Sequence, residues 1–311
     1  MNEERVFEIG LLARVTWNLH SLNNEGTVGN VVEPRTVVLA DGAKVDGISG
    51  EMLKHVHTEN VWLVANGSPL CEACKRLQPQ KADMPDYRRI FRGMGNAEAM
   101  GRAITNCVLC DVHGFLMQEP AIARKSTVEF GWAVGLPDRV HRSTHVHARH
   151  AVGERGQESQ APREEEVRAQ MVYHRPTRSG VYALVSLFQP WRVGLNEVDY
   201  RYVLSEEDRS SRYRLVLTAY RNMLRRADGA MTSTRLPHVE GVEGLVVYSI
   251  AFSPVPLISP LRDDFCEQIE ELARRDGSLR VERFSNVAEA CEVFDRLNST
   301  RPLVLQSAVR A

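Results

Sequence analysis

Four cysteines occur as two Cys-x-x-Cys pairs, Cys71 with Cys74 and Cys107 with Cys110. A Cys-x-x-Cys turn directs two thiolates toward one point, and two such turns complete the tetrahedral ligand set that zinc prefers. The stretch between the pairs is longer than in a usual zinc ribbon, so the fold must bring the two turns together. In a reducing compartment such pairs ligate a metal more readily than they form disulfides. The spacing predicts structural Zn²⁺, with redox chemistry or unliganded thiols as the alternatives.

A catalytic zinc site is a weaker interpretation of the same region. The motif His57-Thr58-Glu59, followed by Pro69 and the first cysteine pair, superficially matches the His-x-Glu…Pro-Cys-x-x-Cys pattern of nucleobase deaminases. Leu70 interrupts that pattern, and the spacing from the histidine to the cysteines is short for two packed helices. The second cysteine pair would also have no role. We therefore favour structural zinc.

A second set of candidate residues lies near the start of the chain, where a strand, a loop and a helix follow one another. Residues 5–18 alternate between apolar and polar, which predicts a strand with one dry and one wet face. The loop at 21–30 is rich in Asn and Gly, and Ser49 is a good N-cap for a helix near 49–57. The free backbone N–H groups of a helix N-terminus can bind phosphate. A capped helix that binds nothing is the plainer alternative.

These three elements resemble the start of the CRISPR-associated DevR-type autoregulator family. The stretches 95–115 and 229–235 fit the same family, so the resemblance extends over most of the first 250 residues. It implies a member of the Cas seven superfamily, a backbone subunit of a type I Cascade of the I-A or I-B kind. Its expected partners are crRNA, target DNA through the guide, other Cascade subunits and further copies of itself in a head-to-tail helical oligomer.

The resemblance also implies a groove that holds the guide RNA by its backbone and leaves the base edges free. Gly-rich loops let backbone N–H groups approach phosphates, and Arg or Lys neutralises them. For Arg14 an ordinary solvated position on the strand is an equal alternative. The residues expected to contact RNA are Arg14, Asn24, Asn30, Arg35, Ser49, Lys54, His55, Thr232, Ser233 and Arg235.

Two other functions follow from relatives of the same family. In the type III backbone subunits an Asp in the loop after the first strand cleaves target RNA, but the aligned residue here is Asn30, which is no carboxylate base. Asp41 or Asp46 could replace it if the alignment were shifted. We therefore predict no enzymatic activity. A zinc-containing nucleic-acid-binding regulator is the third hypothesis, although we find no helix-turn-helix pair with a basic recognition helix.

The elements that must position these residues follow the order β-α-β-β-α-β, which predicts an α+β class with a ferredoxin-like or RRM-like palm. The strands are expected at 5–18, 126–135, 180–188 and 244–252, with helices at 49–57 and 206–227. A helix at 261–275, a strand at 279–284 and a helix at 287–297 follow. The expected divisions are palm at 1–57, a zinc-stapled finger insertion at 58–124, palm at 125–136, a long thumb hairpin at 137–178, and palm with C-terminal helices at 179–311.

The thumb segment contains four closely spaced histidines, His141, His145, His147 and His150. Their most ordinary role is as exposed polar residues on a hairpin. Contact with RNA is the second interpretation, and metal binding is the third. A long polar segment of this kind is either functional or disordered.

Composition sets the class of protein but does not decide among these functions. The 311 residues carry a formal net charge of −1, with 43% hydrophobic and 25% charged residues, as in ordinary globular proteins. The chain has 34 arginines, a number that suits RNA binding and equally suits a GC-rich genome. Apolar runs are too short to span a bilayer. The opening Met1-Asn2-Glu3-Glu4 lacks a signal pattern, so we expect a cytoplasmic protein with no membrane contact.

Overall fold

A ten-stranded sheet forms the centre of the computed structural model, which describes residues 4–29, 31–149, 171–229 and 231–306. The strands, including those of three small two-stranded sheets, are β1 (Arg5–Val6), β2 (Ile9–His20), β3 (Asn24–Val28), β4 (Val31–Pro34), β5 (Thr36–Val38), β6 (Lys44–Ile48), β7 (Phe115–Met117), β8 (Ile122–Arg124), β9 (Val128–Phe130), β10 (Ala133–Arg149), β11 (Met171–Phe188), β12 (Leu195–Asn196), β13 (Arg201–Tyr202), β14 (His238–Ser249), β15 (Leu279–Phe284) and β16 (Arg301–Pro302).

Four long strands carry the sheet and lie in the order β14–β2–β11–β10, each antiparallel to its neighbours. β15 extends one edge, and β6 and β5 extend the other. Beyond the sheet, β10 and β11 continue as a hairpin that pairs from Val140 with Gly180 to Arg149 with Met171. This hairpin projects from the part of the sheet where β2 ends.

Helices cover both faces of the sheet. They are α1 (Gly50–Val64), α2 (Glu72–Lys75), α3 (Pro85–Arg88), α4 (Asn96–Asn106), α5 (Val108–His113), α6 (Glu206–Arg225), α7 (Phe265–Arg275) and α8 (Val287–Leu297). One apolar cluster joins α1, α6 and α8 to one face of the sheet. Within it Tyr220 of α6 stacks on Phe294 of α8, with 5.4 Å between ring centroids. No helix in these described stretches has the length and hydropathy needed to cross a membrane.

The predicted α+β class is confirmed, and several predicted elements lie where the periodicity placed them. β15 and α8 have the predicted bounds, and α6 ends at Arg225, close to its predicted end. The predicted N-cap Ser49 accepts a hydrogen bond from the backbone N–H of Met52. α1, however, continues beyond its predicted end at 57 to Val64. Local patterns of apolar residues and caps therefore located most elements, with errors in where they end.

The prediction of a wet face on β2 is wrong. Leu12 and Arg14, which lie on the face expected to be wet, are both buried. A second apolar cluster covers that face with Val255 and with Phe265 and Ile269 of α7. The alternation along β2 thus reflects two different buried environments. It also means that the sheet has no open face at this point on which RNA bases could stack.

Residues 65–127 form an insertion between α1 and β9, and a buried carboxylate fastens it to the sheet. The side chain of Asp111 in α5 is completely buried and accepts hydrogen bonds from Arg124 at 2.7 Å and Arg212 at 2.9 Å. The backbone N–H of Gly194 donates to both carboxylate oxygens at 3.1 Å. Arg124 belongs to the insertion, whereas Arg212 belongs to α6. The carboxylate therefore holds the insertion against the helix layer.

Replacing this carboxylate should destabilise the protein strongly. Asp111→Asn removes the carboxylate bonded to Arg212 and leaves Arg124 with only the more distant Glu197, at 3.7 Å, and breaking such a buried pair costs about 3–5 kcal/mol. We expect a loss of this size in the free energy of unfolding, measured by urea titration. Asp295→Asn is the matched control, because the Arg221–Asp295 pair at 2.7 Å is half exposed and an exposed pair contributes at most about 1 kcal/mol. Equal losses in the two variants would contradict this account.

Candidate metal centre and nucleic-acid interface

The four paired cysteines meet inside the insertion. Their sulfur atoms all lie within 4.8 Å of one another, and all four residues are buried. The Sγ atom of Cys110 lies 4.0 Å from that of Cys71 and 3.9 Å from that of Cys74. Tetrahedral Zn–S bonds of about 2.3 Å place the sulfurs about 3.8 Å apart. The donor set and its spacing therefore fit zinc.

The local structure explains how each pair points inward. Cys71 caps the N-terminus of α2, and its sulfur accepts a hydrogen bond from the backbone N–H of Cys74 at 3.4 Å. Cys107 caps α5 in the same way, accepting from Cys110 at 3.4 Å. Each turn thus supplies one capping sulfur and one sulfur from the first helical turn. The two turns are alike, although they are far apart in sequence.

His57 lies outside this cluster, which argues against the deaminase interpretation. Its Nδ1 lies 3.1 Å from Nε2 of His113, and its Nε2 lies 3.3 Å from the carbonyl oxygen of Val216. The Val216 carbonyl can only accept a hydrogen bond, so Nε2 of His57 carries the proton and donates it, and Nδ1 of His57 accepts a hydrogen bond from Nε2–H of His113. Burial lowers the pKa of His57 to about 3, against which the Val216 hydrogen bond acts weakly. The two neutral imidazoles join α1 to α5 inside the core.

A large cleft opens between the β10–β11 hairpin and the segment that precedes β14. Its volume is about 980 Å³, and the predicted residues Thr232, Ser233 and Arg235 form one wall. The lining residues are Leu19, His145, Val146, His147, Arg175, Thr177, Thr232, Ser233, Thr234, Arg235, Leu236 and His238. No carboxylate is among these described residues. The cleft is therefore basic and polar, in a chain whose formal net charge is −1.

The opposite wall comes from one face of the hairpin. His145 lies directly opposite Arg175 in the strand register, and its Nε2 lies 2.9 Å from the hydroxyl of Thr177. His147 reaches across the cleft to Arg235, with 3.2 Å between Nε2 and Nη2. These side chains share one face because residues two apart on a strand point the same way. His141 lies on the hairpin outside the lining set, and His150 lies outside the described residues.

Sequence reasoning missed seven of the lining residues, namely Leu19, Val146, Arg175, Thr177, Thr234, Leu236 and His238. Arg175 and Thr177 lie two apart on β11 and so share a face, which a predicted strand reaching back beyond residue 180 would have indicated. Leu19 has no such signal, because its importance is its backbone conformation, with φ of 56°. A non-glycine residue in that region costs about 1–3 kcal/mol and often marks a functional position. Its N–H donates to the hydroxyl of Ser179 at 3.0 Å, which fixes the end of β2 against the hairpin.

The loop after β2 adjoins the cleft through Met231. The side-chain amide of Asn24 lies 3.6 Å from the sulfur of Met231, next to the predicted Thr232. Asn23 accepts a hydrogen bond from the backbone N–H of Ser49 at 2.9 Å, so the start of α1 is tied to the same loop. Ser49 itself is buried. The structure thus brings Asn24, Ser49 and the 231–235 segment together.

A buried ionic network supports the loop after β2 from inside the protein. Asp46 accepts hydrogen bonds from Arg178 at 3.0 Å and from the Tyr182 hydroxyl at 2.9 Å. Tyr182 in turn lies 2.9 Å from Nε2 of His20, the last residue of β2. Arg178 also donates to the carbonyl of Asn23 at 2.6 Å. Burial, and secondarily the charge of Arg178, lowers the pKa of His20 to about 3.

Four predicted RNA contacts lie elsewhere. Arg14 is buried on the covered face of β2, where it donates to the carbonyls of Pro260 and Arg262 and to Asp263. Arg35 pairs with Glu25 at 2.7 Å and lies over the ring of Trp132, 5.9 Å from its centroid. The remaining two, Lys54 and His55, line a separate cavity of about 310 Å³ beside Cys74 and Lys81.

Asn30 lies outside the described residues. Arg14 is the one prediction that the structure contradicts directly, because its guanidinium group is used inside the protein. The solvated alternative that we held equal for Arg14 is wrong for the same reason. Lys54 and His55 instead face the cysteine-bearing insertion, and His55 pairs with Glu59 at 3.1 Å on the surface of α1.

Comparison with known sequences identifies the chain's relatives. Residues 11–270 match the model of the family described as CRISPR-associated negative auto-regulator DevR/Csa2. The chain belongs to this family. The resemblance drawn from the sequence motifs is therefore confirmed. No curated protein matched the chain in a search by sequence.

The fold of this DevR/Csa2-family protein also occurs in solved structures. A chain of a CRISPR RNA-guided surveillance complex, pre-nicking, superposes with a TM-score of 0.57 and 11% identity, covering 94% of this chain and 99% of that chain. A chain of a CRISPR RNA-guided surveillance complex gives 0.46 and 13%, covering 94% and 98%. Thermofilum pendens Csc2 gives 0.37 and 12%, covering 96% and 87%. The first of these shows the shared fold.

Removal of one cysteine ligand should abolish metal binding. We expect the wild-type protein to contain one zinc ion per chain, and Cys107→Ser to contain almost none, because three thiolates leave the tetrahedral set incomplete. Cys291→Ser is the matched control, since Cys291 lies outside the cluster in α8, where its thiol donates a hydrogen bond to the carbonyl of Arg221 at 3.9 Å. Elemental analysis measures the zinc, and limited proteolysis of the insertion measures its order. Zinc retained in full by Cys107→Ser would refute the assignment.

The buried histidines should make the fold sensitive to mild acid. His57 has a lowered pKa in the folded protein, so the unfolded chain binds more protons as the pH falls below about 6.5. The contribution of neutral His57 to the free energy of unfolding is complete above pH 6.5 and is lost as the pH falls from about 6.5 to about 3. From pH 7 to pH 5.5 the free energy of unfolding should fall by about 1 kcal/mol for this histidine.

Urea unfolding of two variants at both pH values checks this prediction. His57→Gln cannot titrate, so its loss of stability between pH 7 and pH 5.5 should be about 1 kcal/mol smaller than that of the wild type. His55→Gln removes an exposed histidine of the same helix and serves as the matched control. An identical pH dependence in all three proteins would contradict the buried, neutral state of His57.

Proposed function

We propose that this protein is the crRNA-binding backbone subunit of a type I Cascade surveillance complex. Membership of the DevR/Csa2 family and the fold shared with a surveillance-complex chain support this role. The observation that carries the proposal is the basic cleft of about 980 Å³, in which the predicted Thr232, Ser233 and Arg235 meet a basic face of the hairpin.

The chemistry of the cleft suits a ribose-phosphate chain. Arg175 and Arg235 supply positive charge, while the hydroxyls of Thr177, Thr232 and Ser233 can donate to phosphate oxygens. No described lining residue carries a negative charge that would repel the strand. Leu19 and Leu236 are exposed and offer apolar surface to ribose or to a base face. Such contacts bind any sequence, as a guide-holding protein must.

The sheet acts in this proposal as an RRM-like palm with an unusual binding mode. In RNA-recognition motifs the bases stack on the open face of the sheet. Here α7 and the segment before it cover the face beneath Leu12 and Leu245. The guide therefore runs across the end of β2 and under the hairpin, which acts as the thumb. The cysteine-bearing insertion acts as the finger, and the chain after the thumb completes the palm.

Zinc has a structural role in this proposal. Cys71, Cys74, Cys107 and Cys110 hold the ion, which when bound contributes folding free energy to a small insertion. The insertion otherwise depends on short helices and on the buried Asp111. Its position beside Lys54 and His55 of α1 places it next to residues predicted to contact the guide.

The subunit has no catalytic role in this proposal. The residue aligned with the type III catalytic Asp is Asn30; of the two substitutes, Asp41 accepts a hydrogen bond from the backbone N–H of Ala43 in an exposed turn, and Asp46 is buried and bonded to Arg178 and Tyr182. An acid held in this way cannot activate a water molecule on an RNA strand. Copies of the chain bind the guide in succession, head to tail, with other Cascade subunits at the ends. The guide then pairs with target DNA in the cytoplasm.

Substitution of Arg235 should weaken RNA binding without affecting the fold. Arg235→Ala removes one phosphate contact, so the affinity for RNA of any sequence should fall about tenfold. The slope of log affinity against log salt concentration should become shallower by about one, because one fewer counterion is released on binding. Arg214→Ala is the matched control, because Arg214 lies on the exposed face of α6, away from the cleft. Filter binding of a crRNA-length RNA across a salt series measures both effects, with unfolding curves to verify the fold.

The wild-type protein provides the first test. Small RNA that copurifies with the protein, and filaments on that RNA in negative-stain images, would support the proposal. Equal RNA affinity of Arg235→Ala and Arg214→Ala would refute the assignment of the cleft. Divalent-metal-dependent cleavage of complementary RNA would favour the type III alternative. Specific binding of a promoter fragment with no affinity for RNA would favour the zinc-containing regulator.

A further inference from the structure

Lys81 is a half-buried cation in the insertion. Its ammonium group donates to the carbonyl oxygens of His113 at 3.1 Å and Gly114 at 2.8 Å, the residues at which α5 ends. Its backbone has φ of 48°, a conformation that lysine rarely adopts. The chain therefore holds this side chain in a defined position against the end of the helix that carries Cys110.

Lys81 has no carboxylate partner within the described part of the chain. Neither an ion pair nor a hydrogen bond joins it to an Asp or Glu, whereas the exposed Lys75 of the same insertion pairs with Glu72. Burial lowers the pKa of Lys81, and the charges of the four cysteines act in the opposite direction. Burying an ammonium group without a negative partner is costly, so such groups are almost always paired.

The cysteines can supply the missing negative charge. Four protonated thiols are neutral, but four thiolates around a divalent ion carry a net charge of −2. Lys81 and Cys74 line the same cavity of about 310 Å³, which also contains Lys54. A buried dianion is as unfavourable alone as a buried cation. The ammonium group of Lys81 thus offsets the desolvation cost of the metal–thiolate site, and the site provides Lys81 with a negative partner.

We propose that Lys81 is the counter-cation of a divalent metal bound by Cys71, Cys74, Cys107 and Cys110. It lowers the net charge of the site from −2 to −1 and fixes the end of α5 by its two hydrogen bonds. It therefore stabilises the bound, deprotonated form of the site and contributes to metal affinity. The inference rests on the structural zinc site, and its test separates the two.

Charge and hydrogen bonding can be separated by substitution. Lys81→Gln keeps an N–H donor but removes the charge, and Lys81→Met removes both while filling a similar volume. Lys81→Arg keeps both. Lys75→Gln is the matched control, because Lys75 follows Cys74 directly but is exposed and paired with Glu72.

Competition with a coloured zinc chelator under reducing conditions measures metal affinity. Groups that support metal ligands typically contribute a factor of about 10–100 in affinity. We expect the apparent zinc Kd to rise about tenfold or more in Lys81→Gln and Lys81→Met, to recover in Lys81→Arg, and to stay within about twofold in Lys75→Gln. The Co²⁺-substituted proteins give a second readout. Loss of a nearby positive charge raises the energy of the thiolate lone pairs, so the thiolate-to-cobalt charge-transfer band should shift to longer wavelength in the two uncharged variants.

The possible results are distinct. Wild-type affinity and an unshifted cobalt band in Lys81→Gln would show that Lys81 acts through hydrogen bonds alone, and would overturn the inference. The same result in Lys81→Met would overturn it even if Lys81→Gln failed to fold. A wild-type protein that binds neither Zn²⁺ nor Co²⁺ would refute the metal site itself, and with it the role of Lys81.

Discussion

The buried carboxylate of Asp111 is the interaction on which the arrangement of the molecule depends. It follows Cys110 directly in α5 and accepts hydrogen bonds from Arg124 and Arg212 and from the backbone of Gly194. One side chain thereby connects the insertion, the helix layer and the turn after β11. Because Asp111 and its two arginine partners are buried, the insertion and the helix layer cannot separate without leaving a charge uncompensated. The position of the cysteine cluster relative to the sheet is set by this constraint.

Arginine has two roles in this chain, and burial distinguishes them. Among the residues whose burial the structure describes, six arginines are less than a tenth exposed, namely Arg14, Arg124, Arg178, Arg192, Arg209 and Arg212. Their guanidinium groups bind backbone carbonyls and carboxylates and so replace apolar packing between segments. The abundance of arginine is thus partly structural. The feature that favours the proposed RNA binding is the position of the basic residues rather than their number. Basic residues lie at the cleft, and carboxylates are absent from its described lining.

The cleft is built from segments that are distant in sequence. The end of β2, the hairpin of β10 and β11 and the segment before β14 each supply one wall. The network of Asp46, Arg178 and Tyr182 fixes the floor, so that the loop after β2 is held from inside the protein. A surface assembled on rigid strands can hold a polyanion in a repeatable position.

The sequence by itself determined the features that depend on local spacing. These include the two Cys-x-x-Cys turns, the cap at Ser49, and the bounds of β15 and α8, because turn spacing, periodicity and capping act over a few residues. Only the tertiary structure decided which polar side chains face solvent. Arg14 was expected on a wet face and is buried by residues about 250 positions later in the chain, and Lys54 faces the insertion. Exposure depends on what packs against a residue, and that partner is not encoded in its neighbours along the chain.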